Sequence, residues 1–170
     1  MDIADNMDNL YQKKILTKNI TISSDQLSSN LDDIIKDILN KEINGICITE
    51  GYIKPNSSTL LMRSEGNLRI NNFKSVIYYT VKYEVLICNP HENQIIDCEV
   101  SEVSKSHITC YIENVDMSPL NIFLSKQHHL GNDEYTKIKI GDTIQIKVLA
   151  KKFEYLDKQI LIIGNFLKIL

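Results

Sequence analysis

The sequence predicts an α+β chain in two parts, one helix among four strands and then an all-β, five-stranded barrel. Three observations predict it. Apolar residues recur at helical spacing in one segment, near residues 29–42. Runs rich in β-branched residues lie on both sides of that segment. Beyond Pro90 the helical period disappears, and short alternating runs separated by turn residues take its place.

The elements follow in order. A polar tail, residues 1–9, precedes a first strand through Ile15 to Ile22, which ends at SSDQLSSN. Leu31, Ile34, Ile35, Ile38 and Leu39 then make one apolar stripe with Asp and Lys between them, so the segment is an amphipathic helix. Ser29 and Asp32 are placed to cap its first free amides, and Gly45 lies just past its far end. GICITEGYIKP reads as a strand closed by Pro55, LLMRS as a short strand, and VIYYTVKYEVLI as a long one. After the boundary at Asn89-Pro90, the alternations are Ile96, Cys98, Val100, then Ile108, Cys110, Ile112, then NIFLS at 121–125. Ile138 to Val148 and QILIIGNFL complete five strands in about 80 residues, the size and strand count of a Greek-key barrel of the OB type. The domains expected are therefore 1–88 and 89–170.

Composition narrows the function. At 170 residues and 43% hydrophobic the chain has enough apolar material for a core. No run approaches the roughly 18 to 20 apolar residues of a membrane span, and MDIADNMDN lacks the basic end and apolar centre of a signal peptide, so a soluble intracellular protein is expected. Four irregularly spaced cysteines are expected to be reduced thiols. A formal charge of −3 argues against coating nucleic acid by bulk attraction, since such binding rests on phosphate neutralisation. Any nucleic-acid contact must be local.

Cys88-x-x-His91 has the spacing of a zinc half-site, but no second close pair completes a tetrahedral set. Cys98 and Cys110 share parity with apolar neighbours and read as small core residues. The adjacent His128-His129 would point apart on a helix or a strand, and a surface loop is the simpler account. No nucleophile elbow, Walker loop, Gly-x-Gly-x-x-Gly turn or framed acid pair is present, so no catalytic, cofactor or metal residues are assigned. Asp97 and Glu99 read as a solvated strand face. A barrel of this type can instead bind single strands by stacking bases on aromatic side chains beside a local basic track. The RNA-contact candidates are His107, Tyr111 and Phe123, with Lys105, Lys151 and Lys152. The competing account is a solvated face plus core aromatics, because from Asn89 onward nine Lys face eleven Asp or Glu.

Over nearly its whole length, from about Lys14 to the C-terminus, the chain resembles the seventh-subunit stalk family of multisubunit DNA-directed RNA polymerases, a family with archaeal members. ILTKNITI followed by SNLDDIIKDILNKEINGICITEGYI is similar to that family's first strand and helix. In VKYEVLICNPHENQIIDCEVSEV, Val81, Tyr83, Pro90, Val100 and Val103 fall where the family pattern puts them. Phe123-Leu124-Ser125 resembles its Phe-Val-Ser, and Ile163-Gly164 its closing Ile-Gly. The resemblance implies a non-catalytic stalk subunit whose four-stranded tip domain docks on the polymerase core subunits. It also implies a smaller helical stalk partner and a barrel near the path of nascent single-stranded RNA, with no cofactor and no membrane. The expected location is the nucleus or cytoplasm with the polymerase, or the virion for a viral member.

The departures are local. Glu92-Asn93-Gln94 has no glycine where the family turn has one, Thr109 replaces an aromatic of the second barrel strand, and the glycine-rich link of the tip is reduced to Ser64-Glu65-Gly66 and Asn71-Asn72. They mark a divergent member, for which a viral polymerase is one setting. The alternatives are a free OB-type RNA-binding protein, or a protein adaptor whose barrel has lost RNA contact.

Overall fold

In the computed structural model, residues 10–71, 74–112 and 117–170 are described. They form β1 (Tyr11–Ser23), α1 (Leu31–Ile43), β2 (Cys47–Ile48), β3 (Gly51–Ile53), β4 (Thr59–Arg63), β5 (Asn67–Asn71), β6 (Lys74–Cys88), β7 (Ile95–Val103), β8 (His107–Tyr111), β9 (Leu120–Ser125), β10 (Thr143–Lys152) and β11 (Ile160–Ile169). Among the described residues the fold is α+β, mostly strand, with one α-helix and a closed five-strand barrel. No helix among the described residues is long and apolar enough to cross a membrane.

The chain divides into two compact units. One comprises Gln12–Asn44 and Ile53–Ile87. The other holds Gly45–Tyr52 and Cys88–Leu170, together with Leu10 and Tyr11. In the first, α1 buries Ile35 and Leu39 of the predicted stripe, together with Ile43 just beyond it. Gly45 follows α1 at φ +65°, a left-handed position that suits glycine after a helix end. The expected Ser29–Asp32 cap does not form: Asn30 is the N-cap without a side-chain bond, and Asp32 accepts from Arg63 Nε at 2.6 Å. The acidic side chain has a cation across the surface, which competes with the helix amides for it.

The sheet runs β1-β6-β3-β2, and β4 and β5 also pair with β6, giving six strands where the sequence predicts four. The difference has two sources. GICITEGYIKP is not one strand but a tight hairpin, with Cys47 opposite Tyr52 and Ile48 opposite Gly51. NLRIN is a five-residue strand running from Gly66 into Asn71-Asn72 that reads as part of the link, and its Leu68 and Ile70 face solvent at 62% and 79% exposure.

The barrel closes in the order β10-β11-β9-β8-β7. Counted within the barrel, this is 4-5-3-2-1, with the first strand meeting the fourth and a parallel pair between the third and fifth, the connectivity of an OB-type barrel. The alternation predicted from sequence is the alternation observed: Ile96, Cys98, Val100, Ile108, Cys110, Ile122, Leu124, Ile144, Ile146, Val148, Ile160, Ile162 and Phe166 point inward and are buried. Ile138 and Ile140 fall outside β10, with Ile138 buried and Ile140 exposed.

One expectation is corrected in the connection between β9 and β10. His128 is exposed, but its neighbour His129 is buried at 5% exposure rather than lying on a surface loop. Its Nδ1–H donates to the Ser125 carbonyl (2.7 Å), and its Nε2 accepts from the Phe166 amide (2.8 Å). The ring stacks on Tyr135 with centroids 4.5 Å apart and planes 1° from parallel, and the Tyr135 hydroxyl donates to the Leu124 carbonyl. A carbonyl can only accept and an amide only donate, so these partners fix the neutral Nδ1–H tautomer.

Candidate nucleic-acid interface

Strand register determines what the outside of the barrel offers, because residues directly opposite one another share a face. Across β10, β11, β9, β8 and β7 one outward row reads Lys152, Leu161, Asn121, Tyr111, Glu99. The next reads Ala150, Ile163, Phe123, Thr109, Glu102, and a third sets Ser125 beside His107. Four of the predicted contact residues, His107, Tyr111, Phe123 and Lys152, therefore lie on one continuous face. Their burial fits this placement: Phe123, Tyr111 and His107 are half-buried, while Leu161 and Ile163 are 37% and 40% exposed.

The His107 and Phe123 rings lie 5.4 Å apart, tilted by 43°. Thr109 sits directly opposite Phe123, so the aromatic absent from that position would have stood at the centre of the face. Tyr111 is hydrogen-bonded to Glu99, and that bond, with burial and the carboxylate charge, raises the phenol's pKa above its ordinary value. The β7 margin is thus acidic, with Glu99 and Glu102 beside the platform.

The three lysines differ. Lys152 is exposed at one corner of the face. Lys105 is exposed in the β7–β8 turn beyond His107. Lys151 stands opposite the inward Ile162, and its ammonium donates to Asn89 Oδ1 and, at 2.8 Å, to the Pro90 carbonyl, fastening the start of the barrel segment. The glycine-free turn beside it is made by Asn93, which adopts φ +67° and donates its amide to the Val148 carbonyl at 2.8 Å. Asn tolerates this conformation better than most residues, because its short polar side chain bonds locally.

Sequence reasoning missed two parts of the surface. The outward Leu161 and Ile163 extend the platform toward β10, and in the sequence both look like ordinary strand residues. Lys126, in the 3₁₀ turn after β9, donates its amide to the Ser106 carbonyl at 3.0 Å and so stands next to Lys105. Its separation of 21 residues from Lys105 hid this; only the β8–β9 register reveals it. All four cysteines are buried thiols, and that of Cys98 is pushed well up by its hydrogen bond with Cys110 and by burial. Among the described residues no group of three or more His, Cys, Asp or Glu is placed to hold a metal ion.

No protein-family model matches the chain. A protein of Acanthamoeba polyphaga mimivirus bearing the name "Putative DNA-directed RNA polymerase subunit L376" is 27% identical over 165 residues, which are 93% of this chain and 82% of that protein. This similarity relates the chain to a viral RNA polymerase subunit.

Proposed function

We propose that the chain is a non-catalytic stalk subunit of a multisubunit DNA-directed RNA polymerase of viral type. Residues 1–88 act as the docking domain and residues 89–170 as the barrel, with the β2–β3 hairpin lending itself to the barrel unit. The observation that carries the polymerase assignment is the similarity to the mimivirus polymerase subunit across 93% of the chain. Docking is supported by Leu61, Met62, Leu68 and Ile70, which β4 and β5 present at 51 to 79% exposure, the kind of apolar surface that a partner covers. A smaller helical stalk subunit is the second protein partner in this reading. RNA contact is supported by the outward platform of His107, Tyr111, Phe123, Leu161 and Ile163, since stacking surfaces on this face of an OB-type barrel take single strands without regard to sequence.

The loss of an aromatic at Thr109 and the acidic flank of Glu99 and Glu102 favour one competing reading, a protein adaptor whose barrel no longer holds RNA. A free RNA-binding barrel is the other. Affinity capture of the full chain from its native source discriminates among them. Co-purification of the large polymerase subunits is expected, and their absence at mild salt would sink the stalk assignment. Single-stranded RNA binding that falls steeply with salt is expected of the barrel, and no binding at low salt leaves the adaptor.

A further inference from the structure

We infer that the cleft at the β7–β8 end of the platform is a phosphate pocket for single-stranded nucleic acid, an inference that rests on the RNA-contact reading above. The cleft has a volume of about 500 Å³ and is lined by Lys105, Ser106, His107, Ser125, Lys126 and Gln127, with Leu130 as an apolar wall. Two lysines, three further side chains able to donate a hydrogen bond and an imidazole converge there, and no carboxylate is among the described lining residues. That charge balance is the reverse of the chain as a whole, which carries −3. Neither lysine belongs to an ion pair among the described residues.

The pocket is built rather than incidental. The Lys126 amide ties its turn to Ser106, and the Lys105 turn is closed by Ser104, whose amide donates to the His107 carbonyl at 2.9 Å and whose hydroxyl donates to it at 2.8 Å. The Ser104 and Ser106 hydroxyls lie 3.1 and 2.9 Å from His107 Nδ1, which occupies that side of the ring and leaves the Nε2 edge for a ligand. His107 belongs to both surfaces: its ring meets Phe123 on the platform and also lines the cleft. A base stacked on Phe123 and His107 would therefore carry its phosphate toward Lys105 and Lys126. This continuity selects a nucleic acid over other phosphate-bearing ligands, because the adjoining aromatic face has no use for a bare phosphate. The phosphate is either an internucleotide diester or a terminal monoester.

The test uses the full chain and a fluorescent eight-nucleotide uridine RNA, with affinity measured by anisotropy across a salt series for the unaltered protein, Phe123→Ala, and the double variant Lys105→Ala/Lys126→Ala. Both lysines are exposed, so the double variant is expected to fold. One neutralised phosphate on a single strand contributes about 0.7 to the slope of log affinity against log salt. The double variant is expected to lose about that much slope and roughly tenfold in affinity at low salt, whereas Phe123→Ala weakens binding with the slope unchanged. If Phe123→Ala weakens binding while the lysine variant keeps the full slope, the pocket is refuted and the platform stands. If the unaltered protein binds no RNA at low salt, the RNA reading falls and takes the pocket with it. RNAs with a 5′-hydroxyl and a 5′-phosphate separate the two sources: equal affinity assigns a diester, and a gain on phosphorylation that the lysine variant abolishes assigns a terminal phosphate. A phosphoserine peptide that binds as tightly as the RNA would overturn the nucleic-acid assignment.

Discussion

His129→Phe tests whether the β9–β10 connection is held by two hydrogen bonds to one buried ring. Phe keeps an aromatic ring on Tyr135 and is slightly larger than imidazole, so the change removes the polar contacts without opening a cavity. It strands the buried Phe166 amide and the partly buried Ser125 carbonyl, which His129 satisfies at 2.8 and 2.7 Å. An unsatisfied buried group costs about 1 to 3 kcal/mol, and an orphaned carbonyl is tolerated better than an orphaned amide, so a net loss of roughly 2 to 4 kcal/mol follows. Phe166 lies in β11, which pairs with both β10 and β9, so the loss falls on barrel closure. Hydrogen exchange followed by NMR reads this locally. The core amides of Ile122, Leu124 and Ile146 are expected to exchange roughly 30- to 700-fold faster in the variant, the factor that about 2 to 4 kcal/mol corresponds to. His129→Ala adds a cavity and is expected to be worse. An acceleration below about threefold in His129→Phe, with the Phe166 amide still protected, would refute the reasoning, because it would mean that neither bond contributes net stability.

Two further outcomes are expected. Asn93→Ala places a β-carbon at φ +67° and should destabilise by about 1 kcal/mol in urea unfolding, while Asn93→Gly should match or exceed the natural chain, because glycine adopts this conformation freely. Burial, with the nearby Asp157 charge second, pushes the Cys47 thiol up to about 11 from its ordinary 9.0. The unfolded thiol ionises first, so the stability associated with keeping Cys47 neutral is fully present below pH 9 and is lost as pH rises through 11. The urea midpoint should therefore fall more steeply between pH 9 and 11 in the natural chain than in Cys47→Ala.

The parts of the fold that were legible in the sequence are those where one strong period decides the outcome. The α1 stripe and the inward residues of β7 to β11 could be read because a helix or a half-buried strand must place apolar side chains at fixed intervals. β5 was passed over although NLRIN alternates, because five residues running from Gly66 into Asn71-Asn72 read as part of a link, and its apolar Leu68 and Ile70 face solvent rather than a core. The β2–β3 hairpin was lost because its reversal is only the two residues Thr49-Glu50, with Gly51 after them, and so short a turn leaves GICITEGYIKP looking like one strand. Gly164 shows the same limit from the other side. Its meaning lies in space, because a β-carbon there would stand 2.9 Å from Leu124 Cδ2 and 3.2 Å from Ile146 Cδ1. In the candidate site, that His107, Tyr111 and Phe123 share one outward face could be read because residue type and strand parity coincide. That Lys151 reaches Asn89 and Pro90, and that Lys126 stands beside Lys105, could not be read, because a long flexible amine is placed by tertiary partners and not by parity.

If the platform holds RNA as proposed, the direction of the strand follows from where the charges fall. Glu99 and Glu102 close the β7 side of the platform, Lys152 stands at the opposite corner, and Lys105 and Lys126 lie past the His107 end. A polyanion that avoids the carboxylates and uses both basic positions must cross diagonally, from Lys152 over Leu161 and Phe123 to His107. Three strand spacings of about 4.8 Å and two outward positions of about 6.7 Å separate Lys152 from His107, so the path is roughly 20 Å along the sheet. That length suits the shortest footprints of such barrels, about four nucleotides. It also explains how a chain of net charge −3 could hold RNA at all, since the contact needs only the two ends of one diagonal to be basic. Lys152→Ala should then remove a second phosphate, and its slope change of about 0.7 should add to that of Lys105→Ala/Lys126→Ala, because separate phosphates release separate counterions. A combined slope change no larger than either alone would place all three lysines on one phosphate and refute the diagonal.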